Sequence, residues 1–286
     1  MGAKHRIRRV ELLLVFVAVG LLLASLGAVG NTARKKSQKT LCLFNQKQLV
    51  QGWLMFAKEH NGTIPVGYVT QQNYNKGYPL WCNPPLTHDW IYVGDRNNPP
   101  SLHDRLRGIR TGAIYPYIHN VQPYHCPADR RLYEGMYEGS GDTYKVFRSY
   151  SLPDILMGDV TEEDYTYGRS VHFKDIVKKN HTIVGPENKF AFVETNDYLR
   201  YRVYNSEAWS FIPEINLYMW WDPIGGFHPK GVTLSFCDGH AEFYQWQEDW
   251  AYDIIRIPEV PYLKADFDYF LWHYPINTPY MPYEGP

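Results

Sequence analysis

The sequence predicts an α+β protein, in which one long N-terminal helix carries an antiparallel β-sheet head with long loops. Three observations predict it. The stretch Leu12 to Val29 is apolar and holds no charge. Leu41, Phe44, Leu49, Trp53, Leu54 and Phe56 then recur at helical spacing, with Lys47, Gln48, Gln51 and Lys58 between them. Far downstream, Val232 to Cys237 alternates like a half-buried strand, Asp238-Gly239 supplies a tight turn, and His240 to Trp246 reads as the return strand.

Residues 1–9 form a basic tail, with Lys4, Arg6, Arg8 and Arg9 expected on the cytoplasmic side. Residues 10–29 are expected to be the transmembrane half of the helix. As helix, the apolar run measures ~27 Å, close to the ~30 Å of a hydrocarbon core. A cleaved signal peptide is an alternative, since Ala24-Ser25-Leu26-Gly27-Ala28 offers small residues. Basic residues flank the run on both sides (Arg34, Lys35, Lys36 and Lys39 follow it), so charge asymmetry does not orient it. Residues 30–60 continue the helix into the head. Asn61-Gly62 stops it, and Ile64-Pro65 forbids simple continuation.

Residues 61–286 make the head, placed outside the cytoplasm by the anchor. Gly, Pro and Asn clusters at 73–79, 83–85 and 95–100 read as loops, and 134–143 as an exposed acidic loop. Ser101 to Arg107 reads as a helical turn and Val171 to Asn180 as a short helix. Lys189 to Glu194 reads as an inner strand. The Pro- and Tyr-rich tail from Pro258 is expected to wrap the surface.

Composition excludes little but weights much. Lys+Arg 29 against Asp+Glu 30 gives a net charge of -1, so there is no electrostatic case for nucleic acid. Aromatic residues make up 16%, with Tyr 24 and Trp 9. That suits a Tyr-packed β domain; the alternative is a carbohydrate platform of Trp81, Trp90, Trp220 and Trp221.

Cys42, Cys82, Cys126 and Cys237 show no Cys-x-x-Cys spacing, so a structural zinc site is not expected. In an extracytoplasmic head, a Cys42–Cys126 disulfide would pin helix to sheet; the alternative is two buried thiols. Cys82 with Cys237 is a weaker pairing. His228, Asp238 and His240, with His125 or Glu242, are the candidate metal ligands. The simpler reading has Asp238 bonding the turn backbone beside Gly239. Among ions, Ca2+ suits turns that offer carboxylates and carbonyls. No catalytic motif is present. Glu187, Glu194 and Asp197 are acids among aromatics, and solvated or paired carboxylates are their ordinary role.

Several of these segments resemble a known family. Val10-Glu11-Leu12-Leu13-Leu14-Val15-Phe16 is similar to a type IV prepilin N-terminus. Leu41-Cys42-Leu43-Phe44-Asn45-Gln46-Lys47-Gln48-Leu49 is similar to the Cys-x-x-Asn-Leu-Lys-Gln-Leu segment of the prepilin-type, pseudopilin-like proteins. Cys126-Pro127-Ala128-Asp129, Ser149-Tyr150 and Phe190-Ala191-Phe192-Val193-Glu194 match head segments of that family. His228, nine residues, then Asp238-Gly239-His240 carries its His-x9-Asp-Gly signature.

The resemblance implies a non-enzymatic pseudopilin-like subunit or accessory protein of a type II secretion or type IV pilus-like system. It would be single-pass in the inner membrane, with a periplasmic head and other pseudopilin-like subunits as partners. It also implies an assembly role for Glu11, which in such filaments neutralises a neighbour's N-terminal amine; pairing with Arg8 or Lys4 is the alternative. Arg6 stands where the family's peptidase requires Gly. Cleavage is therefore not expected, and the chain reads as a permanently anchored relative.

Overall fold

The computed structural model describes residues 9–93, 100–131, 136–137, 143–144, 147–164, 175–195, 210–211, 213–214, 219–220, 224–247 and 264–276. Lys4, Arg6 and Arg8, the centre of the 134–143 loop, Asp197 and Trp221 lie outside them. So do the side chains of Glu11 and Trp220.

Helix α1 runs unbroken for 51 residues, Arg9–Glu59. Its stop is the one the sequence announces. Asn61 and Gly62 take φ of 54° and 84°, and the Gly62 amide turns back onto the Ala57 carbonyl at 2.7 Å. The expected membrane span is corrected, because no helix among the described residues is long and apolar enough to cross a membrane. The run itself is apolar, and Arg34-Lys35-Lys36 follow it closely on the same helix. The transmembrane half, the single-pass inner-membrane placement and the periplasmic head that depended on it fall together. The fold is mixed α and β, and the pilin-like plan of a membrane helix on a sheet is not what organises it.

The centre is a four-stranded antiparallel sheet in the order β3-β4-β7-β8: Tyr150–Ser151, Phe190–Glu194, Gly231–Phe236 and Ala241–Gln245. Strands β7 and β8 form the hairpin, in register from Gly231 opposite Gln245 to Ser235 opposite Ala241. Gly239 takes φ of 101° at its turn, a conformation that suits Gly. Two further two-stranded pairs join β1 (Met136–Tyr137) to β2 (Thr143–Tyr144) and β5 (Pro213–Glu214) to β6 (Met219–Trp220).

Every residue of β4 and β7 is buried, because the sheet is covered on both faces. One cover is the head half of α1, through Leu49, Val50, Trp53, Phe56 and Ala57. The other includes a helix at Lys264–His273, here α5. It inserts Phe267, Phe270 and Leu271, with Tyr274 just beyond, so the chain there is core and not only surface wrapping. After α1 the chain forms α2 (Gln71–Asn75), α3 (Leu102–Arg110) and α4 (Tyr115–Ile118), and α4 packs against α1 and α3. Helix α3 begins in a capping box, Ser101 with Asp104, which satisfies two orphan amides at once. The expected helix at 171–180 is not formed over its described part; a 3-10 turn at Asn180–Thr182 follows instead.

Candidate functional site

Where α1 crosses the sheet, four ionisable side chains meet in the core. Cys42 comes from α1, and Cys126 from the loop after the 3-10 turn Gln122–Tyr124. Glu194 ends β4, and His228 sits just before β7. One donor atom from each lies within 4.8 Å of the others. Cys42 Sγ is 3.3 Å from Cys126 Sγ and donates to Glu194 Oε1 at 2.8 Å. His228 Nε2 is 3.3 Å from Cys126 Sγ and 3.3 Å from Glu194 Oε1.

The local sequence explains why each arrives there. Cys42 falls on the same face of α1 as Leu49, Val50 and Trp53. Pro127 follows Cys126 and fixes the turn, and the Cys126 amide donates to Ser149 Oγ at 3.0 Å. Glu194 closes a strand whose other residues are all apolar. The backbone bridge between His228 and Gly231 brings the imidazole back over the sheet.

Two hydroxyls complete the arrangement. Tyr150 Oη lies 2.8 Å and Thr233 Oγ1 3.0 Å from Cys42 Sγ. The Thr233 hydroxyl also donates to Glu194 Oε1. Gln46 donates to the Thr233 carbonyl at 2.5 Å and fixes that strand against the helix. Glu194 Oε2, by contrast, has no hydrogen-bond partner among the described residues.

Electrostatics follow from burial and close approach. Burial pushes the Cys42 thiol well up, and its bond with Cys126 and the nearby Glu194 charge add to this. Burial would raise Cys126 too, but its hydrogen bond from Cys42 and the His228 imidazole outweigh that and lower it. Burial opposes a charged His228, yet the Glu194 carboxylate and Cys126 overcome it and push the imidazole up to about 10. Exposure is 0% at Cys42, Cys126 and Glu194 and 4% at His228, which leaves no room for a substrate between them. The imidazole alone reaches the wall of a cleft of ≈ 560 Å³, lined also by Arg34, Lys35, Gln38 and Arg130.

The expected sites fare differently. His228 is in the cluster; Asp238 and His240 are not. Those two stay at the hairpin turn, where Asp238 Oδ1 accepts from the His240 amide at 3.0 Å and meets its ring at 2.6 Å. The Asp238 carboxylate is thus engaged with its own turn. His125 bonds the Phe147 carbonyl at 2.8 Å, and Glu242 accepts from the Tyr269 hydroxyl at 2.8 Å. Cys42 and Cys126 meet as free thiols. Cys82 and Cys237 turn to different partners: Arg148 donates to Cys82 Sγ at 2.6 Å, and Cys237 donates to the Phe190 carbonyl at 3.3 Å. Glu187 is on a surface 3-10 turn.

Sequence reasoning missed Glu194 as a partner of the two cysteines. The available signal was a lone acid at the end of an otherwise apolar strand, since a buried carboxylate must be paired or ligated. No family model matches the chain, and no match is found among curated proteins or solved structures.

Proposed function

We propose that the chain is a non-enzymatic structural subunit of the pseudopilin-like kind, which associates with like subunits through the first half of α1. One observation carries this reading. Leu13, Leu14, Val15, Phe16, Val17, Val19, Leu21 and Leu22 stand on a continuous helix with exposures of 46–68%, while the same helix is buried in the head further on. So much bare aliphatic surface calls for a partner. Among the described residues no helix is long and apolar enough to cross a membrane, and the α1 segments of other copies are the partner that fits this surface. The closed, polar seam at Cys42 supports a structural role for the head, because it offers no space for chemistry on a substrate.

The test uses the full chain with a photo-crosslinking residue at Phe16. The reading expects a covalent dimer joined α1 to α1, which Leu13→Glu with Val17→Glu abolishes while near-ultraviolet circular dichroism of the head is unchanged. A chain that stays monomeric by light scattering, with no crosslinked dimer, refutes it.

A carbohydrate-binding reading is favoured by Trp90, 56% exposed and held at φ 62° beside the exposed Ile91. Trp81 does not extend that surface, since it is buried against Tyr124 and Phe192. Loss of retention on immobilised polysaccharide in Trp90→Ala would support it; no retention of the wild type removes it.

A further inference from the structure

We propose that Cys42, Cys126, Glu194 and His228 together hold one zinc ion. The donor set is two thiols, an imidazole nitrogen and a carboxylate oxygen, which is zinc chemistry. Calcium would require six to eight oxygen donors, and this cluster offers two at most.

Geometry agrees. A tetrahedron built with Zn–S of ~2.3 Å and Zn–N or Zn–O of ~2.1 Å has donor-to-donor edges of about 3.4–3.8 Å. Three edges measure 3.3 Å, and the Cys42–Glu194 edge measures 2.8 Å. A shift of a few tenths of an ångström to about one ångström per edge would open the cluster around an ion. Glu194 Oε2 supplies an independent sign, for it is a fully buried carboxylate oxygen with no hydrogen-bond partner among the described residues. A cation held at Oε1 would offset the buried negative charge that this carboxylate carries, and a disulfide between the cysteines would not.

The surroundings are those of a structural site. The Tyr150 hydroxyl reaches Cys42 Sγ and would donate to it as a thiolate, while the Thr233 hydroxyl donates to Glu194 and orients it. Four protein ligands leave no open coordination position, as in structural and not catalytic zinc sites. Each ligand comes from a different piece of chain, so the ion would tie α1, the Cys126 loop, β4 and the approach to β7 in one step. The cleft that reaches His228 is walled by Arg34, Lys35 and Arg130 against one acid, Asp129, which is itself paired with Arg131, so its net positive charge opposes passage of a cation. The ion is therefore taken up as the chain folds and is released slowly from the folded protein.

The full chain, expressed in zinc-supplemented medium and purified under reducing conditions, is assayed by metal analysis. The expected content is about one zinc per chain. Refolding with Co2+ instead gives a thiolate-to-cobalt charge-transfer band. Cys42→Ser and Cys126→Ser each weaken that band, and the double variant loses it. His228→Ala lowers zinc retention, and Cys237→Ala, a buried thiol outside the cluster, leaves it unchanged. Should the ligand variants fail to fold, the wild-type cobalt spectrum still decides. Folded wild type that holds no zinc, gives no cobalt band and melts at the same temperature with and without zinc overturns the proposal. So does a Cys42–Cys126 disulfide in the folded protein by non-reducing peptide mapping.

Discussion

Asp154 makes stability fall as pH rises through the acid range. It is buried and accepts a hydrogen bond from the Tyr274 hydroxyl. Burial pushes its carboxyl up to about 7, against the pull of Tyr274 and the backbone amides of Ile155 and of Asp154 itself. In the unfolded chain the group ionises near ~3.9. Below that, both states are protonated and Asp154 costs nothing. Between about 4 and 7 the unfolded chain sheds the proton while the folded protein keeps it, so stability drops by ~1.4 kcal/mol per pH unit. Above 7 the loss is complete, at roughly 4 kcal/mol. Asp154→Asn keeps an acceptor for Tyr274 and cannot ionise. Urea denaturation of both proteins from pH 4 to pH 8 isolates the effect, because other titrations, including those at the cysteine cluster, cancel in the difference. The variant gains on wild type as pH rises and levels off near pH 7. A difference that is flat across this range would refute the reasoning.

Three further outcomes are expected. Asp129 is buried with Arg131, which binds it at 2.7 Å, and with Ser149, which donates at 2.6 Å. Burial alone would raise its carboxyl, but the Arg131 charge and these bonds hold it low. Its contribution is therefore present at neutral pH and lost as pH falls through the depressed folded value; Asp129→Ala costs about 3–5 kcal/mol at pH 7 in urea titration. Phe270→Ala removes a ring packed on Phe190, Tyr244 and Trp246, and lowers stability by about 3–5 kcal/mol in the same assay. Gly239→Ala places a Cβ 2.6 Å from Gln51 Nε2 at φ 101°, and should cost about 1–3 kcal/mol, read as a lower thermal midpoint.

Features set by neighbouring residues were legible. Asn61-Gly62 ends α1 because its backbone geometry is local, and alternation around Asp238-Gly239 specifies the β7–β8 hairpin for the same reason. Helix α5 was hidden by the Pro and Tyr content around it. Phe267, Phe270, Leu271 and Tyr274 nevertheless stand at the 3–4–7 spacing of a helix face. The cluster was beyond reach of spacing rules, because Cys42 stands 84 residues from Cys126 and 152 from Glu194, and Cys126 stands 102 from His228. The lack of Cys-x-x-Cys excludes a zinc site built on one turn, and it says nothing of one assembled by a whole fold.

The cluster belongs to a longer polar seam that explains why α1 settles in one register. Gln38 donates to the Pro127 carbonyl at 2.9 Å, Asn45 to the His125 carbonyl at 3.0 Å, and Gln46 to the Thr233 carbonyl at 2.5 Å. Leu49, Val50, Trp53 and Ala57 supply the burial that drives α1 onto the sheet, but an apolar stripe tolerates sliding. A slip of one turn, ~5.4 Å, keeps much of that stripe covered. It would also pull all three amides off their carbonyls and leave Glu194 without Cys42 in a dry core. Each lost partner costs about 1–3 kcal/mol, and an abandoned buried charge costs more. Apolar contact thus holds the helix to the head, and the polar seam selects the single position in which Cys42 faces Cys126, Glu194 and His228.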